Sequence, residues 1–253
     1  KKRTIDQSIE TIRNRIDEFG VSEPSITAQG DNRILVQLPG IQDSTKAKEL
    51  INRTARLEFR MVDTAMPAAQ AAALVAEAEK AGNYSLKTMK YSEYIKKINE
   101  AIKSKLPPHT IVLFGKNENA MTMEAGKVPY VLKDEVPVAG DSLKDAYVGI
   151  NHDYNEPYVS LSFNAEGANK FGRVTGENVG HNMAIVLDNV VYSAPNIRQK
   201  IPNGQAQITL GSGRGYQALM EEAKTISMAL RAGALPAALE QLEERTVGPT
   251  LGM

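Results

Sequence analysis

The sequence predicts an α+β fold, and three patterns along its 253 residues carry that prediction. The N-terminal quarter alternates helical and strand spacing in the order helix, strand, strand, helix, strand. A stretch from Thr110 to Leu210 is dense in short strands, and the C-terminal part returns to a helix followed by an alternating segment. From Thr4 to Phe19 the residues Ile5, Ile9, Ile12, Ile16 and Phe19 recur at steps of four and three, which is one stripe of a helix. Thr4 with Gln7 matches a capping box, and Gly20 is a natural stop. Beyond Glu23-Pro24, strands at Ser25 to Gln29 and Arg33 to Leu38 meet across Gly30-Asp31-Asn32, with Ile34, Val36 and Leu38 on one face of a hairpin. Asp43 or Ser44 caps a helix that turns Ala47, Leu50 and Ile51 inward. Leu57, Phe59 and Met61 then alternate with Arg56, Glu58 and Arg60 in a strand. This order is the split β-α-β, ferredoxin-like pattern with its first strand missing, to be supplied from upstream of Lys1 or from the far end of the chain.

Alanine-rich residues Pro67 to Ala81 and the spacing of Tyr94, Ile95, Ile98 and Ile102 within Tyr91 to Leu106 predict a helical pair that stops at Pro107-Pro108. Strands follow at Ile111 to Phe114, Val128 to Leu132, Ala146 to Ile150 and Tyr158 to Phe163, then a helix around Glu166 to Thr175. A tight hairpin joins Met183–Leu187 to Val190–Tyr192 at Asp188-Asn189, and Ala206 to Leu210 is a further strand. The last helix, Tyr216 to Ala232, presents Leu219, Ala223, Ile226 and Leu230 on one face, and Leu239 with Leu242 opens a closing strand. The organisation expected is therefore a discontinuous ferredoxin-like base, residues 1–63 and 213–253, with a large α+β head inserted at 64–212, of which 64–109 is a helical insertion.

Thirty basic residues balance thirty acidic ones, so the field that draws in nucleic acid is absent. Cysteine is missing altogether, which removes disulfides, thiol catalysis and Cys-based metal sites. The longest apolar runs, near Ala71 to Ala76, Met183 to Leu187 and Ala232 to Leu239, fall well short of the roughly 18 to 20 residues of a bilayer span. Lys1-Lys2-Arg3 is not an initiator start and no signal-peptide core follows it. The chain also stops just after Val247-Gly248-Pro249, so both ends read as those of an excised segment.

His109, His152 and His181 lie far apart, each beside Pro, Asn or Gly, in no metal-ligand spacing, so solvated loop histidines are expected and no metal or cofactor. Ser193 has no Gly-x-Ser-x-Gly elbow around it. Gly211-Ser212-Gly213-Arg214-Gly215 follows a strand and opens a helix as a phosphate loop does. It lacks the Lys-Ser or Lys-Thr of one, and reads better as a turn or hinge. Asp141 with Asp145, and Glu221 with Glu222, sit at ordinary surface spacings.

Four blocks taken together resemble a known family: Ile12-Arg-Asn-Arg-Ile-Asp-Glu-Phe-Gly-Val-Ser-Glu-Pro24; Arg33-Ile-Leu-Val-Gln-Leu-Pro-Gly40; Ala184-Ile-Val-Leu-Asp188 with Ser193-Ala-Pro195; and Leu230-Arg-Ala-Gly-Ala-Leu-Pro236 with Arg245-Thr-Val-Gly-Pro-Thr-Leu-Gly252. They resemble SecD, a subunit of the bacterial protein-export machinery, in its first large extracytoplasmic domain. The resemblance implies a non-enzymatic segment on the periplasmic side of the inner membrane, tied to the membrane by flanking helices outside this chain. It implies SecF, the SecYEG channel and unfolded preprotein as partners, and a head that changes orientation in a cycle driven by the proton gradient. Polypeptide is recognised at apolar grooves or open strand edges, so the head is expected to expose one. Hinges are expected where the chain crosses between base and head, at Val62, Asp63 and Thr64 and at Gly211, Gly213 and Gly215. Two rival readings are a structural module that clamps partner subunits and a phosphate-binding enzyme using Gly211 to Gly215.

Overall fold

The structure, a computed structural model, describes residues 2–41, 43–116, 123–211 and 215–245. The N-terminal elements form in the expected order. Helix α1 (Lys2–Phe19) buries Ile12 and Ile16 and ends at Gly20, whose φ of +82° is the left-handed conformation that glycine adopts freely. Strands β1 (Ser25–Gln29) and β2 (Arg33–Gln37) pair antiparallel in a two-stranded sheet of their own. Helix α2 (Ser44–Asn52) takes Asp43 as its N-cap, the carboxylate accepting the Lys46 N–H at 3.0 Å. Ile12, Ile16, Ile26 and Leu235, with Ile34, Val36, Leu38, Ile51 and Leu239 against them, make a small separate core.

Strand β3 (Leu57–Met61) departs from expectation. It does not join β1 and β2 but enters a six-stranded sheet, and Glu58 and Arg60 are buried along with Leu57 and Phe59. The rest of the chain explains why. Helices α3 (Ala68–Gly82) and α4 (Tyr91–Ile102) precede β4 (Thr110–Lys116), a single helical turn α5 (Met123–Gly126), β5 (Lys127–Lys133) and the two-residue β6 (Val138–Ala139). Next come β7 (Leu143–Asn151), β8 (Glu156–Phe163), α6 (Ala165–Glu177), β9 (Met183–Leu187), β10 (Val190–Ser193), β11 (Gln205–Thr209) and α7 (Tyr216–Ala232). Among the described elements, α5, β6 and a 3-10 turn at Gly140–Ser142 have no counterpart in the sequence reading. The β9–β10 turn carries positive φ at both Asp188 and Asn189, the geometry of a tight two-residue hairpin.

The large sheet runs β5-β4-β10-β9-β3-β6 and curls until β5 meets the chain just past β3. Just past β3, Val62 bridges Leu132 of β5, and the Asp63 N–H donates to Val131 O at 2.8 Å. Inside the curl, register places Leu113, Leu132, Ala184, Val186 and Val191 on one face, and Glu58 opposite Val186 and Arg60 opposite Ala184 continue that face. Arg60 Nε donates to Glu58 at 2.8 Å and Nη1 to Asp134 O at 2.6 Å, so the buried charges are paired and bonded across the curl. Glu58 and Arg60 thus mark a second interior face, while Arg56 just before the strand is exposed.

Outside the curl, α3 and α4 cover Val112, Phe114 and Val131. On the other side lies the main core, where Leu57, Phe59, Met183, Ile185 and Leu187 meet α6, α7 and the three-stranded sheet β11-β8-β7. Phe59 stands edge-on to Phe163 and Phe171, each 5.4 Å away between ring centres. Strand β3 and helix α7, both expected in the base, therefore share one core with elements expected in the head. The closing strand expected from Leu239 does not form within residues 233–245. There Leu235 and Leu239 lie against α1 and β2 by side-chain packing, the Leu235 N–H donates to Thr54 O at 2.9 Å, and Leu242 is exposed. Residues 246–253 lie outside the described ones.

Candidate functional site

Two of the sequence blocks that carry the family resemblance converge on one arginine. Arg15 projects from the apolar stripe of α1, one step from Ile12 and Ile16, and is fully buried. Its Nη1 donates to Leu50 O at 2.8 Å, Ile51 O at 3.2 Å and Arg53 O, and its Nη2 to Thr54 O at 3.4 Å and Gly233 O at 2.9 Å. Carbonyls at the end of α2 and just past the end of α7 lack helical partners, and the planar fork of a guanidinium supplies them. Burial lowers the Arg15 pKa to about 10, which leaves it charged at neutral pH. A second arginine ties the same place: Arg231 near the end of α7 donates through Nη2 to Glu18 at 2.7 Å and through Nη1 to Ala146 O at 2.8 Å. Alongside, Arg53 stands with Tyr192, Glu222 and Asp188. Burial opposes its charge, but these three neighbours raise its pKa on balance. The joint so made holds the small core to the main body where the chain passes between them twice, after α2 and after α7. Ala55, with φ of +54°, and Gly233, with φ of +91°, mark the two passages.

The expected hinge residues fall elsewhere. Val62 and Asp63 sit in the seam that closes the large sheet, with the Val62 N–H donating to Asn182 O at 2.9 Å. The Asp63 carboxylate is bonded by the Lys133 ammonium and by the Ala65 N–H at 2.8 Å. Thr64 is exposed just beyond. Gly211 has φ of +76°, Gly215 is the N-cap of α7, and Gly213 lies outside the described residues. Lys133 holds the Asp63 pKa below the ordinary carboxylate value, with the Ala65 N–H adding to it against burial. A depressed carboxylate stabilises the fold above its unfolded pKa and loses that contribution as the pH falls through its folded one. Asp63→Asn is therefore expected to cost up to about 1 kcal/mol near neutrality and to unfold with less acid sensitivity below about pH 4, read from urea midpoints at a series of pH values.

An open strand edge lies on the main body. In the three-stranded sheet, β7 pairs with β8 on one side only. The Phe163 N–H of β8 points to Gly204 O, towards β11, so Leu161 and Val159, in the same phase, also face β11. Their partners Ala146 and Val148, and Ile150 in the same phase, direct their N–H and C=O groups away from the sheet. At Ala146 both are taken, the N–H by Asp145 Oδ1 at 2.7 Å and the C=O by Arg231. At Val148 and Ile150 no described residue takes them. Tyr147, Ile150 and Tyr154 are exposed nearby, and Tyr158 lies over Gly149, where a Cβ would come within 2.4 Å of its ring.

The remaining candidates do not assemble into chemistry. His109, His152 and His181 are exposed and apart, and among the described residues no three His, Cys, Asp or Glu side chains gather as metal ligands. A broad cleft of about 810 Å³ beside α6 mixes Lys133, Lys170 and Arg173 with Asp134, Glu135 and Glu177, so no one charge dominates. Among the described residues no helix is long and apolar enough to cross a membrane.

Comparison with known proteins agrees with this architecture over nearly its whole length. A family profile described as protein translocase subunit SecDF, P1 domain, N-terminal matches residues 5–64, and one described as SecDF, P1 head subdomain matches residues 117–237. The second takes in α7, in keeping with its place in the main core. A solved structure described as a membrane component SecDF that enhances protein export superposes with a TM-score of 0.64 at 31% identity, covering 98% of this chain and 94% of that one. SecDF in a super-membrane-facing form superposes with a TM-score of 0.63 at 32% identity, over 95% of this chain and 27% of that one. These features define the P1 domain of a protein-translocase subunit. The chain belongs to the SecD family: it is 43% identical over 253 residues to protein translocase subunit SecD of Desulfurispirillum indicum and 42% identical over 254 residues to that of Calditerrivibrio nitroreducens. It spans 42% of the length of each of these two relatives.

Proposed function

We propose that the chain acts on the periplasmic side of the inner membrane as the polypeptide-handling part of a SecD subunit. It contacts unfolded preprotein emerging from a SecYEG-type channel and moves, beside a SecF-type partner, in a cycle driven by the proton gradient. The observation that carries this reading is the likeness over 98% of the chain to a membrane component that enhances protein export. In membrane vesicles containing the full-length subunit and a stalled preprotein, photo-crosslinkers distributed over the main body should label the preprotein. Labelling of the channel alone would leave the rival reading, a clamp between subunits.

The moving joint in this reading is not the pair of crossings expected from sequence. Rotation about Val62 or Asp63 would break the sheet seam. The passages at Arg53–Arg56 and Gly233–Leu235 instead lie side by side and join the small core to the main body, with left-handed residues at Ala55, which packs in the main core, and at Gly233, two residues before Leu235 of the small core. On this assignment the base comprises α1, β1, β2 and α2, with β3 and α7 moving with the head.

A further inference from the structure

We infer that the outer edge of β7, from Tyr147 to Asn151, takes an extended polypeptide segment as an added strand. The inference rests on the polypeptide-handling function proposed above and assigns the surface that performs it. Exposed strand edges invite pairing, and folded proteins ordinarily blunt them with charges, bulges, prolines or covering side chains. The first half of β7 has such protection: a register shift between Leu143 and Asp145, the charged Lys144 and Asp145, and the Ala146 backbone groups bonded to Asp145 and Arg231. Protection then stops. Tyr147, Val148, Gly149, Ile150 and Asn151 contain no charge and no proline, and the outward N–H and C=O of Val148 and Ile150 have no partner among the described residues.

What complements two such donors and two such acceptors at the two-residue repeat of a strand is another backbone in extended conformation, which an unfolded chain offers at any point along its length. The flanking side chains suit a partner of variable sequence. Tyr147 is 49% exposed, Ile150 38% and Tyr154, at the tip of the β7–β8 hairpin, 76%. Tyrosine combines apolar contact area with a polar tip and loses little entropy on contact. The sheet face around Tyr147 continues through the uncharged Tyr158, Ser160 and Gln207, with charge at its two ends in Asp145 and in Glu156 opposite Asn151.

The test uses the full-length subunit with its partner subunits in membrane vesicles and a preprotein stalled part-way through the channel. A photo-crosslinking residue is installed at Tyr147 or, on the opposite edge of the sheet, at Gln207. Labelling of the preprotein is expected from Tyr147 and several-fold less from Gln207. With the probe at Tyr147, Ile150→Pro removes an outward N–H without breaking a bond of the native sheet, and should lower labelling about tenfold, the worth of one to two hydrogen bonds. Ile150→Lys, which places a charge on the edge, should do the same and decides the matter if the proline variant loses its resistance to protease. Equal labelling from both edges, or labelling unchanged in a folded variant at Ile150, overturns the assignment of the edge while the polypeptide-handling function stands. Labelling of a second copy of the subunit instead of the preprotein also overturns it, making the edge a self-association surface. If no position on the main body labels the preprotein while the channel does, the function itself fails and the inference with it.

Discussion

Arg15→Met is expected to destabilise the protein by about 3 kcal/mol or more, because it strands buried carbonyls at the ends of α2 and α7. The substitution keeps the length and apolar stem of the side chain, so cavity formation is a small part of the effect. What it removes are the donations to Leu50, Ile51, Arg53, Thr54 and Gly233. Arg15→Lys retains the charge, but a single ammonium cannot span carbonyls from two chain passages as a planar fork does, so it should recover only part of the loss. Urea midpoints give the stability. Hydrogen exchange distinguishes the joint from a general weakening: the Leu235 amide, which donates to Thr54 O across the two passages, should lose protection before the amides of β9. Equal loss at both would show that Arg15 supports the whole fold and not the joint.

Much of this fold was legible in the sequence, because most of its elements announce themselves locally. The stripe of α1, the Gly30-Asp31-Asn32 hairpin, the paired positive-φ residues at Asp188 and Asn189, and the apolar faces of α4 and α7 each depend on neighbours within a few residues. What was not legible depends on partners distant in sequence. Nothing local to Glu58 and Arg60 shows that the sheet curls over them and that Lys133 and Asp134 backbone oxygens lie on the far side to accept from Arg60. Strand pairing has the same limit: β3 reads as a strand, but its neighbours β9 and β6 lie well over a hundred and some eighty residues ahead. The site left one signal that could have been used. An arginine one step from Ile12 and Ile16 on an apolar stripe belongs on the buried side, and a buried guanidinium requires several acceptors. The open edge of β7 left none, since edge and central strands share the same alternation and only topology separates them.

Phe59→Ala in β3 should cost about 3–5 kcal/mol, the usual range for deleting a buried phenyl ring from a core that cannot collapse. The ring is 1% exposed and wedged edge-on between Phe163 and Phe171, so its loss removes two aromatic contacts as well as area. Where the damage spreads decides a structural question. If β3 belonged to an independent base, protection from exchange would fall in α1, β1, β2 and α2 and persist in the head. The shared core requires the reverse: β8, β9, α6 and α7 should lose protection together, because Val159, Ile185, Phe171 and Ile226 pack in one cluster with Phe59. The small core around Ile12, Ile16 and Ile26 is a separate cluster, joined to α7 at its margin by Glu18 with Arg231, and should hold longer. That outcome would also locate the mechanical boundary. A lever that transmits force must be stiff on both sides of its pivot, and only a body that unfolds as one unit from β3 to α7 leaves the passages at Arg53–Arg56 and Gly233–Leu235 as the place where it can turn.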